Sequence, residues 1–82
     1  MDVIDYAILE KMTKKLQATT KLNAATRKNI QAAVEKINTK TLYRRLKKLI
    51  ENGNVAKGIK VVLEHSYYVT ESGVNALEEA QK

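Results

Sequence analysis

The chain has no cysteine, proline, tryptophan or phenylalanine, and only three glycines and one histidine in 82 residues. Each shortage removes a class of protein. Without cysteine there is neither a disulfide framework nor a thiolate metal site. His65 stands with only Glu64 beside it, far from the several regularly spaced ligands a metal centre needs, and reads as a structural or surface residue. Gly53, Gly58 and Gly73 fall in the last third and build no glycine-rich phosphate loop. Ser66 and Ser72 have no identifiable base, and Glu71, Glu78 and Glu79 read as a solvated helical face. These absences point away from an enzyme and leave no cofactor or metal expected. No apolar run approaches the roughly 20 residues that span a bilayer. The opening MDVIDYAILEKM carries acids where a secretory signal peptide has a basic head. The expectation is a soluble cytoplasmic protein with no membrane partner and no evident small-molecule ligand.

What is present is a globular composition, 44% hydrophobic, over a single domain spanning residues 1–82. A chain this short buries about 60–65% of its unfolded surface, so its core is thin. The net charge is +6, and its distribution says more than its sum. Residues 11–60 hold fourteen Lys and Arg against two acids, Glu35 and Glu51. The first ten residues hold Asp2, Asp5 and Glu10 with no base; residues 61–82 hold four Glu against Lys82. A basic middle between acidic ends implies one side that faces a polyanion.

Periodicity divides the chain into four helices and a hairpin. Ile4, Ile8 and Met12, with Leu9, give a first helix from Val3 to about Lys14, with Asp2 as N-cap. Residues 16–25 carry little pattern, though Ala18, Thr19 and Thr20 suit a short strand and Asn23 suits a helix start. Ile30, Val34 and Ile37 predict a second helix from about Ala24 to Ile37, ended by Asn38 in a left-handed conformation. Thr39 then caps a third helix running from Lys40 to about Asn52 and stopped by Gly53. A turn of two or three residues between the second and third helices is helix-turn-helix spacing. Beyond Gly53 the Val, Ile and Tyr content predicts strands at Val55 to about Lys60 and His65 to Val69. Thr70 caps a last helix from about Glu71 to Ala80, with Val69 and Val74 placed as a hydrophobic staple. The fold class is mainly α with a small β-hairpin (α+β): a helix-turn-helix over about 24–52, a wing over about 55–69 and a C-terminal helix over about 71–80.

The segment TKTLYRRLKKLIENG carries Lys40, Arg44, Arg45, Lys47 and Lys48 against Glu51. At about 100° per residue, Leu42, Leu46 and Leu49 fall within about 60° of one another and form a core face. Lys40, Arg44, Lys47 and Lys48 fall opposite them, with Arg45 and Thr41 on one edge and Tyr43 on the other. A solvated face is one reading. A membrane-surface helix is disfavoured, because such helices keep their apolar face for lipid and an 82-residue domain needs these leucines for its core. The third reading is a helix in duplex DNA, whose major groove admits one α-helix. The start of the second helix of a helix-turn-helix meets base edges. Here it offers Thr39, Lys40, Thr41, Tyr43 and Arg44: Arg or Lys for guanine O6 and N7, and a Thr methyl for thymine. Lys47 and Lys48, one turn on, suit phosphates. Arg27 and Lys28 near the start of the second helix, and Lys57 and Lys60 in the wing, are further candidates for phosphate or the adjacent minor groove.

TLYRRLKKLIENGNV followed by YYVTESGVNAL resembles the winged helix-turn-helix of bacterial and archaeal transcriptional regulators, PadR-like and MarR-like repressors above all. The pattern L-x-x-x-G-x-V is met by Leu49, Gly53 and Val55, and Y-x-x-T-x-x-G by Tyr67, Thr70 and Gly73. The resemblance covers about residues 26–77 well and the first helix loosely. It implies a sequence-specific double-stranded-DNA-binding transcriptional regulator of repressor type. Little room is expected for the extra dimerisation helices of those groups, so a minimal regulator of a virus, plasmid or mobile element is the better analogy. One small module reads few base pairs, so a homodimer through the first or last helix is expected. The alternatives are a DNA-binding replication, partition or recombination accessory protein, and a winged helix whose basic face meets an acidic protein.

Overall fold

The computed structural model describes residues 1–59 and 64–82. Helix α1 spans Val3–Glu10, its first turn capped by the Asp2 carboxylate, which accepts the Ile4 N–H at 2.8 Å. It runs into a π-helical turn, Lys11–Lys15, where the Leu16 N–H reaches back five residues to the Lys11 carbonyl. Gln17, at φ 53°, closes it. Strand β1 is Ala25–Thr26, α2 is Arg27–Ala33 and α3 is Thr39–Glu51. Strands β2 (Val55–Lys57) and β3 (Ser66–Val69) precede α4 (Glu71–Ala80). The sheet is antiparallel in the order β1-β3-β2, with Ala25 opposite Tyr67 and Val55 opposite Val69. This is the α+β winged helix-turn-helix expected from the sequence.

One core holds it together. Ile8, Leu9 and Met12 from the first helix meet Leu42, Leu46 and Leu49 from α3, with Ile30, Val55, Val69 and Leu77 closing the sides. These ten side chains are all 2% exposed or less. Burial of each leucine is worth about 1.5–3 kcal/mol, so the α3 row is the main anchor of that helix. Helices α1 and α4 pack on each other.

Five local expectations are corrected. Residues 18–20 form no strand: Ala18 is buried and lends only its carbonyl, which accepts the Val69 N–H at 2.7 Å, while the third strand is Ala25–Thr26. Helix α2 is shorter at both ends than predicted. Thr26 caps it by accepting the Asn29 N–H, and Val34 leaves it with extended backbone (φ −99°, ψ 93°). The left-handed residue is Lys36, at φ 64°, and the Gln31 side-chain amide donates to the Ile37 carbonyl across the turn. The turn from α2 to α3 therefore covers residues 34–38, five rather than two or three. Asn38, not Thr39, is the N-cap of α3: its Oδ1 accepts the Thr41 N–H at 2.8 Å.

The end of α3 and the start of α4 are clamped together. Gly53, at φ 81°, closes α3 with two reversed hydrogen bonds: its own N–H to the Ile50 carbonyl and the Asn54 N–H to the Leu49 carbonyl, both 3.0 Å. The Thr70 hydroxyl donates to the Gly53 carbonyl at 2.6 Å and accepts the Gly73 N–H at 3.1 Å, while the Thr70 N–H reaches the Asn54 carbonyl. A Cβ on Gly73 would stand 2.1 Å from the Asn54 carbonyl oxygen, so only glycine lets the helix approach this turn. The Y-x-x-T-x-x-G pattern is thus a cap, a cross-link and a close contact in one.

Candidate nucleic-acid interface

With the leucines of α3 buried, the rest of its surface is fixed by the wheel. Thr39, Lys40, Tyr43, Arg44, Lys47 and Lys48 are exposed. Thr41 is half-buried, with its backbone N–H held by the Asn38 cap. Among the described residues, Lys40, Arg44, Lys47 and Lys48 have no carboxylate within ion-pair distance. An open concavity of about 440 Å³ lies along Arg44, Arg45, Lys47, Lys48 and Glu51.

On one edge α3 faces the wing. Tyr43 is 53% exposed, and the Arg27 guanidinium lies 5.8 Å over its ring, joining the start of α2 to α3 through a cation–π contact. Arg27 and Lys28 are both exposed there. Tyr43 and Lys47 share a shallow concavity of about 140 Å³ with Lys57 of β2, His65 and Tyr67. Lys57 is exposed; Lys60 lies outside the described residues, as does the stretch Val61 to Leu63. Burial pushes the Tyr67 phenol above its ordinary value, the neighbouring Tyr43 adds to this, and Arg27 partly opposes it. The Tyr67 hydroxyl therefore stays a neutral donor at physiological pH.

The other edge faces α1. Arg45 turns back toward two acids, with Asp2 Oδ2 at 3.6 Å and Asp5 Oδ1 at 3.9 Å. Asp5 is buried, and that burial raises its carboxyl above the usual value despite the opposing pull of Arg45. Asp2 is lowered, first by the Ile4 N–H and also by Arg45.

His65, read as a structural or surface residue, is exposed and lines the groove between α3 and the wing, a position the sequence did not indicate. The Arg45 pairing was also missed, although Asp2 and Asp5 lie three residues apart and so share one face of α1. Among the described residues, no group of three or more His, Asp or Glu side chains gathers to hold a metal, and no helix is long and apolar enough to cross a membrane.

Comparison with solved structures gives two matches along nearly the whole chain. TubR from Bacillus megaterium pBM400 superposes with a TM-score of 0.84 at 24% identity, covering 98% of this chain and 86% of that one. The DNA-binding TubR fragment from Clostridium botulinum, a solution structure, superposes with a TM-score of 0.77 at 29% identity, covering 98% and 96%. No protein-family model and no curated protein matches the sequence. The structural likeness supports the winged-helix fold but not the PadR-like or MarR-like subfamily that the sequence resembles.

Proposed function

We propose that this chain is a duplex-DNA-binding protein whose α3 lies in the major groove and whose wing meets the flanking backbone, acting as a replication, partition or recombination accessory of a plasmid or virus. The observation that carries the DNA reading is the row of exposed cations Lys40, Arg44, Lys47 and Lys48, none within ion-pair distance of a carboxylate among the described residues, on a helix seated by buried leucines. Thr39, Thr41 and Tyr43 stand with Lys40 and Arg44 as the base-edge candidates, Thr41 the least accessible. Lys47, Lys48, Arg27, Lys28, Lys57 and Lys60 are the phosphate candidates. The whole of residues 1–82 acts as one DNA-binding domain.

The accessory role is preferred to promoter repression because both similar structures are TubR proteins, one described as DNA-binding and the other from pBM400, a designation of the form given to plasmids. Repression would use the same face, so the two differ in where the protein sits. A homodimer through α1 or α4 fits the small footprint of one module, and Val3, 82% exposed on α1, is available to such a contact.

The test is selection of bound fragments from plasmid and chromosomal DNA, followed by footprinting. Protection of repeated sites at a replication or partition locus is the expected result. Protection confined to promoters would return the repressor reading. No duplex binding at any salt would overturn both and leave the basic face to an acidic protein.

A further inference from the structure

The five cations of α3 are not in one electrostatic state. Among the described residues, Arg45 alone of the five has carboxylates at ion-pair distance, and both come from the start of α1. The pairing is loose: at 3.6 and 3.9 Å neither contact is within hydrogen-bond range. Arg45 Nε and Asp5 Oδ1 are buried and have no hydrogen-bond partner among the described residues. The group is nevertheless within reach of solvent, since the Arg45 side chain is 25% exposed and that of Asp2 is 44% exposed. Arg45 also lines the same concavity as Arg44, Lys47 and Lys48, the cations assigned to DNA. Lys48 adds a weaker pull on the same acids: Asp2 is lowered first by the Ile4 N–H and then by Arg45 and Lys48, while at Asp5 burial outweighs both cations.

We propose that Asp2 and Asp5 are an intramolecular stand-in for a backbone phosphate: they hold Arg45 in the free protein and yield it to the duplex on binding, which makes Asp2 a determinant of DNA affinity. The inference rests on the duplex-binding reading above. A phosphate arriving at the Arg44–Lys48 side offers the guanidinium a bidentate, hydrogen-bonded partner in place of two long contacts. The same approach brings the phosphate toward the Asp2 carboxylate, so the acids set a threshold. Weak, sequence-independent contacts fail to displace them, and a fully seated helix does. The device raises selectivity by lowering affinity for casual DNA.

Asp2→Asn isolates the effect, because asparagine is as good an N-cap as aspartate and preserves the acceptor for the Ile4 N–H. Wild type, Asp2→Asn, Arg45→Gln and the double variant are titrated against one fluorescent random-sequence duplex at several salt concentrations, with circular dichroism melts of each. Asp2→Asn is expected to bind about two- to five-fold more tightly at low salt, the worth of one exposed ion pair. In the Asp2→Asn background, where Arg45 is released to the duplex, Arg45→Gln is expected to lower the salt slope by about 0.9, one phosphate, and to erase the gain from Asp2→Asn. If Arg45→Gln melts early, Arg45→Lys keeps the charge, and Asp2→Asn must then tighten binding in that background as in wild type. Unchanged affinity in Asp2→Asn, or an equal gain with and without Arg45, overturns the proposal while leaving DNA binding intact. A folded wild type that binds no duplex overturns the DNA reading itself, and this inference with it.

Discussion

The two edges of α3 flank one cationic face and meet opposite surroundings. Toward the wing, Tyr43 and Lys47 open onto Lys57, His65 and the Arg27 guanidinium; Glu64 borders this side, but among the described residues no carboxylate lies within ion-pair distance of Arg27, Lys47 or Lys57. Toward α1, Arg45 is drawn back by Asp2 and Asp5. Five cations in one sequence segment are therefore not five equal contacts. What a basic helix offers a polyanion depends on which of its charges the rest of the fold has already met.

The largest effect is expected at the exposed row. Arg44→Glu with Lys47→Glu should weaken duplex binding roughly 100-fold at moderate salt while leaving the melting temperature nearly unchanged, as read by anisotropy and calorimetry. The wing edge depends next on the clamp that holds the wing and α4 to the end of α3. Gly73→Ala forces a Cβ against the Asn54 carbonyl and should cost about 1–3 kcal/mol or more. Thr70→Ala loses the α4 cap and the bond to Gly53, a cost of about 1–2 kcal/mol. Denaturant melts rank the two. A smaller effect sharpens the wing edge alone: Lys57→Ala should weaken binding a few-fold and reduce the salt slope by about 0.9.

The smallest effect belongs to the α1 edge and is a matter of pH. Burial raises the Asp5 carboxyl, so folded protein holds its proton at higher pH than unfolded chain does. Its contribution to stability is then fully present below the unfolded value and is lost as pH rises through the folded one. Wild type should gain stability relative to Asp5→Asn as pH is lowered across the carboxylate range, measured by paired melts. Asp2, which is lowered, works in the opposite sense: its contribution is present above its unfolded value and is lost as pH falls through the folded one.

Most of this architecture was legible because local chemistry and tertiary contact agree. Asp2 and Thr70 cap the helices they were expected to cap, Gly53 ends α3, and Leu42, Leu46 and Leu49 are buried. The wing strands lie where the Val and Tyr content put them, though shorter. The failures occur where tertiary contact overrides local pattern. Helix α2 stops at Ala33 although Ile37 continues its period, because Val34 turns into the core and Gln31 closes the following loop. Strand β1 is two residues long and carries no periodicity; only its pairing with Tyr67 and Ser66 defines it. At the interface, the wheel separated core from cations correctly, but a sequence does not show that Asp2 and Asp5 stand beside Arg45 or that His65 lines the groove.

The central claim, that α3 enters duplex DNA by its cationic face, is tested most directly by titrating the wild-type protein against fluorescent duplex over a range of salt. Each phosphate neutralised contributes about −0.9 to the slope of log K against log salt. The expected slope is several units, sharply reduced in the Arg44→Glu/Lys47→Glu variant. A folded protein with no binding at low salt, or a slope that the double variant leaves unchanged, would contradict it.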